Sequence, residues 1–332
     1  MWKAIHITYY DDQDKLLRDA VQPAIRLMQA QGYIQRAYVF RQWQLAPTLV
    51  IHIEVEQYKD YKKAVQLCKT ELALYMIVNP SKLRLTGVEC QKLAKVWSED
   101  QLPDRVVIHD NHSIHESKLT LPHGLHEQEC IRELLHSFYA YTYGLIIHEL
   151  EQCRDNVQAR YYRVARMMAA NGGYDLYQSL ISGYPTPRAR VERYMQRLRE
   201  REFVSKQYED ADDQFGHIID HALQDLYDHS NSNGEYVGSD NLLRMWSNAR
   251  QQLCVAIRTL DESGLIDKDK LDSGITDSVR LTHYIMYTSM KVLLPLFQFD
   301  VRQQYMMEYL IIRSLERIEC SDSYQLQVSS HR

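Results

Sequence analysis

AYVFRQWQLAPTLVIHIEV, residues 37–55, is the stretch whose reading decides the fold. Two runs of aromatic and β-branched residues flank a short segment ending in Pro47, the composition of an antiparallel strand pair. Arg41 and His52 stand inside these otherwise apolar runs. Alternation places Tyr38, Phe40 and Gln42 on one face of the first strand and Val39, Arg41 and Trp43 on the other, while Val50 and His52 share a face of the second. The two polar groups could meet across the hairpin. Arg41 is then either an anion site fixed under a packed layer or a solvated edge residue.

Upstream, AIHITYY (4–10) is a third β-rich run. DDQDKLLRDAVQPAIRLMQAQG follows with Leu16, Leu17, Val21, Ile25 and Leu27 at helical spacing, Pro23 as a potential kink and Gly32 as a stop. Downstream, YKDYKKAVQLCKTELALYM carries Tyr61, Val65, Leu72 and Met76 on one helical face. The order β-α-β-β-α predicts an antiparallel, split βαβ-like sheet with helices on one face, within the α+β class. Residues 78–125 read as a polar, histidine-rich connector. From 126 onward, successive stretches with apolar residues three and four apart predict a mostly helical remainder. The expected organisation is a sheet-containing part, 1–125, and a helical part, 126–332, packed as one unit.

The chain has 332 residues, 45% hydrophobic and 25% charged, enough to bury a sizeable core. A net charge of −5, with positive residues interspersed among acidic ones, argues against direct nucleic-acid binding. Neither a signal peptide nor a run of about 18 apolar residues is visible, so a membrane span is not expected. The six cysteines, Cys68, Cys90, Cys130, Cys153, Cys254 and Cys320, form no CxxC pair and fit reduced thiols in a cytoplasm.

Phosphate loops, dinucleotide-binding glycine fingerprints, GxSxG and HExxH motifs are all absent. HDNHSIHESKLTLPHGLH gathers His109, His112, His115, His123 and His126, either metal ligands or a polar surface loop, with the loop favoured because no cysteine or fixed helical face joins them. His217 and His221, one turn apart near Asp220 and Asp225, pose the same choice with the same preference. Tyrosine is abundant, 24 residues against six phenylalanines, so many aromatic positions can also donate a hydrogen bond. In LTHYIMYTSMKV, His283, Tyr287 and Lys291 repeat every four residues and share a helical face, with Ser289 on its flank. Imidazole, phenol and ammonium groups in line can move protons, although a solvated helix face gives the same string.

The opening MWKAIHITYYDDQDKLLRDAVQPAIRLMQ followed by RAYVFRQWQLAPTLVIHIEV resembles the start of the C-terminal, elimination-type domain of lantibiotic dehydratases. That domain also occurs as stand-alone thiopeptide-type bacteriocin biosynthesis proteins, pyridine synthases among them. HSFYAYTYGLIIHELE (136–151) and the stretch from Arg280 to Ile318 are similar to later, more permissive helical blocks of the family. The resemblance implies action on a ribosomally made, leader-bearing precursor peptide. Family members either eliminate glutamate from glutamylated serine or threonine, or join two dehydroalanines in a formal aza-[4+2] cycloaddition that ends in a pyridine.

Departures from the family pattern separate these chemistries. Arg41 matches the first family arginine, but Leu49-Val50-Ile51-His52 stands where Leu-Arg-Leu-Arg is expected. The family's late His-x-x-Asn-Arg-Leu element is missing, and Met286 or Tyr287 occupies its histidine position. The lost groups are those that would grip a departing glutamate, so cyclisation is expected over elimination. The expected protein is a cytoplasmic peptide-modifying enzyme with no cofactor and no metal, possessing a site between sheet and helices. Tyr287 and Ser289 are its expected proton-transfer or orienting groups, with His283 as a supporting base. Arg41, His52 and Lys291 are expected to bind substrate. A glutamylating dehydratase is a conceivable partner, and a non-catalytic precursor-binding scaffold is the non-enzymatic alternative.

Overall fold

A computed structural model describes residues 1–42, 47–97, 109–117, 128–153, 156–172, 187–198, 200–231, 235–271 and 277–329. The expected α+β class is what it shows: a four-stranded antiparallel sheet near the N-terminus, then helices. The chain divides into two units, Met1–His126 and Glu127–Arg332.

In the first unit, β1 (Trp2–Thr8) lies between β3 (Thr48–Glu54) and β4 (Ser113–Ser117), and β2 (Ala37–Gln42) borders β3. The register Ile5↔Ile51, Ile7↔Leu49 and Val39↔Ile51 puts these side chains on one face, all fully buried. Each such burial stabilises the fold by roughly 1.5–3 kcal/mol, and β-branched side chains suit the pleat. Helical residues meet this face. Lys3 lies over the rings of Tyr58 and Tyr61 from α3 (Tyr58–Val78), and the Tyr61 hydroxyl donates to the Ala4 carbonyl at 3.1 Å.

The helix expected after β1 is interrupted. Asp12 caps α1 (Gln13–Leu16) by accepting from the amides of Asp14 and Lys15, and a π-helical turn, Leu17–Val21, then leads into α2 (Gln22–Ala30). Pro23 lacks an amide hydrogen, and the widened turn immediately before it accommodates the break in the hydrogen-bond ladder. Gly32, at φ +67°, ends the helix in the left-handed conformation, with the Tyr33 amide donating to the Met28 carbonyl at 3.0 Å.

The predicted connector holds two elements that periodicity did not reveal, α4 (Gly87–Trp97) and β4. Thr86 and Glu89 form a reciprocal capping box at the start of α4, with the Thr86 amide donating to Glu89 at 2.7 Å and the Glu89 amide to Thr86 Oγ1 at 3.3 Å. β4 is short and polar, and its order comes from pairing with β1.

The second unit comprises α5 (Glu129–Gln152), α6 (Val157–Gly172), α7 (Pro187–Arg197), α8 (Arg201–Asp228), α9 (Asn241–Glu262), α10 (Ser278–Leu293) and α11 (Val301–Ser329). Trp246 of α9 is buried, packs on Phe138 of α5 and donates to the Met167 carbonyl of α6 at 3.1 Å. Val191, Met195, Val204, Tyr208, Tyr305 and Ile312 join α7, α8 and α11 in a second apolar cluster. No described helix is long and apolar enough to cross a membrane.

A buried ionic network braces this unit. Arg166 pairs with Asp240 at 2.7 Å and Asp225 at 2.8 Å, and its guanidinium lies over the rings of Tyr162 and Tyr236. Asp240 also caps α9 through the Leu243 amide at 3.0 Å, and that bond and Arg166 hold its carboxyl below the usual range despite burial. Asp240→Ala removes both roles and is expected to cost about 2 kcal/mol in urea unfolding, Asp225 still serving Arg166. Asp240→Asn keeps the cap and should recover about 1 kcal/mol of that loss; equal midpoints for the two variants would refute the double role.

Candidate active site

His283, Tyr287 and Lys291 share one half-buried face of α10, and side chains from other helices of its unit meet it. Asp277 caps α10 by accepting from the Arg280 amide at 2.9 Å. Leu281, Ile285, Met286, Met290 and Leu293 anchor the buried side, and the four-residue spacing leaves His283, Tyr287 and Lys291 together on a half-buried face. The Arg190 guanidinium of α7 lies 3.9 Å from the Tyr287 ring centre, and the Lys291 ammonium lies 4.8 Å from it. Lys291 also donates to the Tyr305 hydroxyl at 3.4 Å, and Tyr305 stacks on Tyr194 with centroids 4.1 Å apart. Arg190 Nε donates to Glu308 at 3.3 Å, and that carboxylate is buried.

Each helix contributes one face to this cluster. Arg190 and Tyr194 are four apart on α7, Tyr287 and Lys291 four apart on α10, and Tyr305 and Glu308 three apart on α11. Two cations against one phenol ring, each contact worth about 0.5–2 kcal/mol, hold that ring in place. They also provide a positive field for an oxygen that gains negative charge, while the phenol can pass a proton. Arg190, Tyr305 and Glu308 were not foreseen from sequence, because the periodicity of α7 and of α11 does not show which face each helix turns toward α10, whether the contact spans 14 positions, as for Lys291 and Tyr305, or 118, as for Arg190 and Glu308.

Ser289 is placed elsewhere. It follows Tyr287 by two residues, about 200° around the helix, and is fully buried with its hydroxyl donating to the Met286 carbonyl at 2.7 Å. The structure brings Tyr287, His283 and Lys291 together and sets Ser289 behind them.

Arg41 and His52 do not meet across the hairpin. The register pairs Arg41 with Leu49 and Tyr38 with His52, so an odd-numbered residue faces an odd-numbered one and the two polar groups point to opposite sides of the sheet. Arg41 is buried on the helix-covered face, where its guanidinium pairs with Asp14. His52 is fully buried on the other face and stacks on Tyr38, centroids 4.6 Å apart and planes 8° apart, with Phe40 at 5.2 Å.

Beside His52 on that second face the sheet carries an imidazole group that sequence reading did not assemble. His6 pairs with His115 across β1 and β4, their ring centres 5.3 Å apart, and His109 lies 3.8 Å from His115. Burial, and secondarily His115 and His109, push His6 down to about 4; burial and the same neighbour His109 lower His115. Both imidazoles are therefore uncharged near neutral pH. His6 was hidden by its place between Ile5 and Ile7, since its partner strand was itself unread. Of the histidines weighed as metal ligands, His123 and His126 fall outside the described residues, and His221 packs on Tyr162 at 5.7 Å. Among the described residues no three His, Cys, Asp or Glu side chains assemble in metal-binding geometry.

No family model matches the sequence, and no curated protein sequence matches it. Solved structures share its fold. The pyridine synthase TbtD from thiomuracin biosynthesis superposes with a TM-score of 0.69 at 17% identity, over 94% of this chain and 97% of its own. TsrL superposes with a TM-score of 0.63 at 14% identity, over 96% and 95%. The tRNA dependent lantibiotic dehydratase MibB from Microbispora sp. 107891 gives 0.52 at 13% identity, over 95% of this chain but 28% of the dehydratase. The architecture is thus that of a thiopeptide pyridine synthase and of one portion of a lantibiotic dehydratase, as the sequence resemblance implies.

Proposed function

We propose, from a fold shared with a pyridine synthase and with part of a dehydratase, that this protein modifies a ribosomally made, leader-bearing precursor peptide in the cytoplasm. The reaction is a formal aza-[4+2] cycloaddition of two dehydroalanines. The observation that carries this reading is the Tyr287 ring held by Arg190 and Lys291. The diene arises when an amide between residues tautomerises, so its oxygen gains a proton as its nitrogen loses one. Tyr287 supplies that proton, and the two cations stabilise negative charge developing on the oxygen. His283, one turn earlier on the same face, receives the proton leaving nitrogen. Two new C–C bonds close the ring, the nitrogen being already within the diene, and loss of water and then of the leader aromatises it. Ser289, bonded to the Met286 carbonyl, supports the helix behind Tyr287 rather than touching the reacting atoms.

Glutamate elimination is favoured less, because β3 carries Val50 and His52 where the resemblance leads one to expect arginines, and Arg41 is committed to Asp14 on the opposite face. Mass spectrometry distinguishes the readings. With a dehydrated leader-bearing precursor, the expected products are a macrocycle and a released leader. Free glutamate from a glutamylated precursor would replace this reading with elimination, and tight binding with no mass change would replace it with a scaffold role.

A further inference from the structure

Glu308 of α11 is 5% exposed, and among the described residues its one ion-pair partner is Arg190, whose Nε donates to it at 3.3 Å. The carboxylate lies on the buried face of its helix, with Tyr305 one turn before it and Ile312 one turn after, both buried. Tyr208, from the same apolar cluster, gives its hydroxyl to the Arg302 carbonyl at 2.8 Å. A carboxylate this shielded is costly to keep charged unless a cation answers it, so Glu308 and Arg190 hold each other. The other end of the same guanidinium is at the candidate reacting centre, 3.9 Å from the centre of the Tyr287 ring. Three helices are thereby linked in series, α11 through Glu308, α7 through Arg190 and α10 through Tyr287. The second cation over that ring is tied to the same turn of α11, because Lys291 donates to the Tyr305 hydroxyl at 3.4 Å, three residues before Glu308.

We propose that Glu308 is a positioning residue of the candidate active site: through Nε it fixes the Arg190 guanidinium against the Tyr287 ring. A cation–ring contact at a half-buried site competes with hydration of a long, flexible side chain. Glu308 removes that alternative by holding the guanidinium at its bend, which sets the tilt of the planar group as well as its place. Glu308 does not touch the reacting atoms; it acts through Arg190 on the phenol. The catalytic part of this role rests on the proton-donor reading of Tyr287 given above, whereas the positioning part is a property of the resting protein.

The test reads the two parts separately, on the full chain. With the arginines isotopically labelled, the Arg190 Nε–H signal, assigned by its loss in Arg190→Gln, should be shielded by the Tyr287 ring and should lose that shielding in Tyr287→Leu. Glu308→Gln, which keeps shape but removes charge, should move the signal at least halfway to that of an exposed arginine. In turnover of a dehydrated precursor, Glu308→Gln should lower kcat about tenfold, with KM within about twofold of the parent. Arg190→Gln/Glu308→Gln, which replaces the buried pair by two amides and so leaves no unpaired charge, should be no slower than Arg190→Gln alone. Full shielding retained in Glu308→Gln overturns the proposal, as does a double variant whose losses multiply. A lowered melting temperature with shielding and kcat unaltered overturns it too, since Glu308 would then serve the fold alone. Shielding is read without substrate, so a parent that forms no macrocycle defeats the cyclisation reading while leaving the positioning of Arg190 to be decided by the signal.

Discussion

Tyr287→Phe is expected to lower turnover of a dehydrated precursor by about 10²–10³-fold, with the fold and precursor affinity retained. The substitution removes one oxygen and leaves the ring, so the contacts with Arg190 and Lys291 persist. A loss confined to kcat identifies the hydroxyl with the chemical step, because binding that is equal in ground and transition states would move KM instead. Arg190→Gln removes the cation over the ring while preserving a donor toward Glu308, and a smaller loss, about tenfold, is expected of it. Turnover within twofold of the parent in Tyr287→Phe would remove the phenol from the mechanism.

Acidification provides the second large effect. An unperturbed histidine titrates near 6.5, whereas His6 in the folded chain titrates near 4, principally because burial disfavours its charged form. Between those values the unfolded chain binds a proton that the folded chain does not. His6 therefore contributes nothing that varies above pH 6.5, and stability falls as pH drops from 6.5 toward 4, by about 3 kcal/mol in total. The groups facing it are His115 from β4 and His109 just before β4, with Val50 opposite on β3; His115 is itself lowered and adds loss of the same sign. Urea midpoints for the parent and His6→Gln, measured from pH 7 to 4.5, should diverge, the variant losing less. Parallel curves would show that the imidazole does not govern acid sensitivity.

Local chemistry made much of this architecture legible. β1, β2 and β3 announce themselves through β-branched and aromatic runs, and α3 through its apolar stripe, because their own side chains make the buried face. Ser113–Ser117 could not be read the same way, since Ser-Ile-His-Glu-Ser becomes a strand only through the backbone that β1 offers it. The Thr86–Glu89 box was readable and indicates why a helix starts in a segment that otherwise reads as connector. At the candidate site, spacing of four found His283, Tyr287 and Lys291, and it could not find Arg190 or Glu308, whose placement depends on how three helices pack. Strand alternation correctly grouped Arg41 with Val39, yet only the register, which pairs Tyr38 with His52, shows which residues it confronts.

That register has an evolutionary consequence. Because odd-numbered positions of β1, β2 and β3 support the helical layer and even-numbered ones form the opposite buried face with His6 and Thr8, neighbouring residues in one strand answer to separate demands. A substitution on one set is felt by the neighbours of that face alone, since both sets are buried. An insertion of a single residue inside a strand, by contrast, would exchange the two sets and damage both at once.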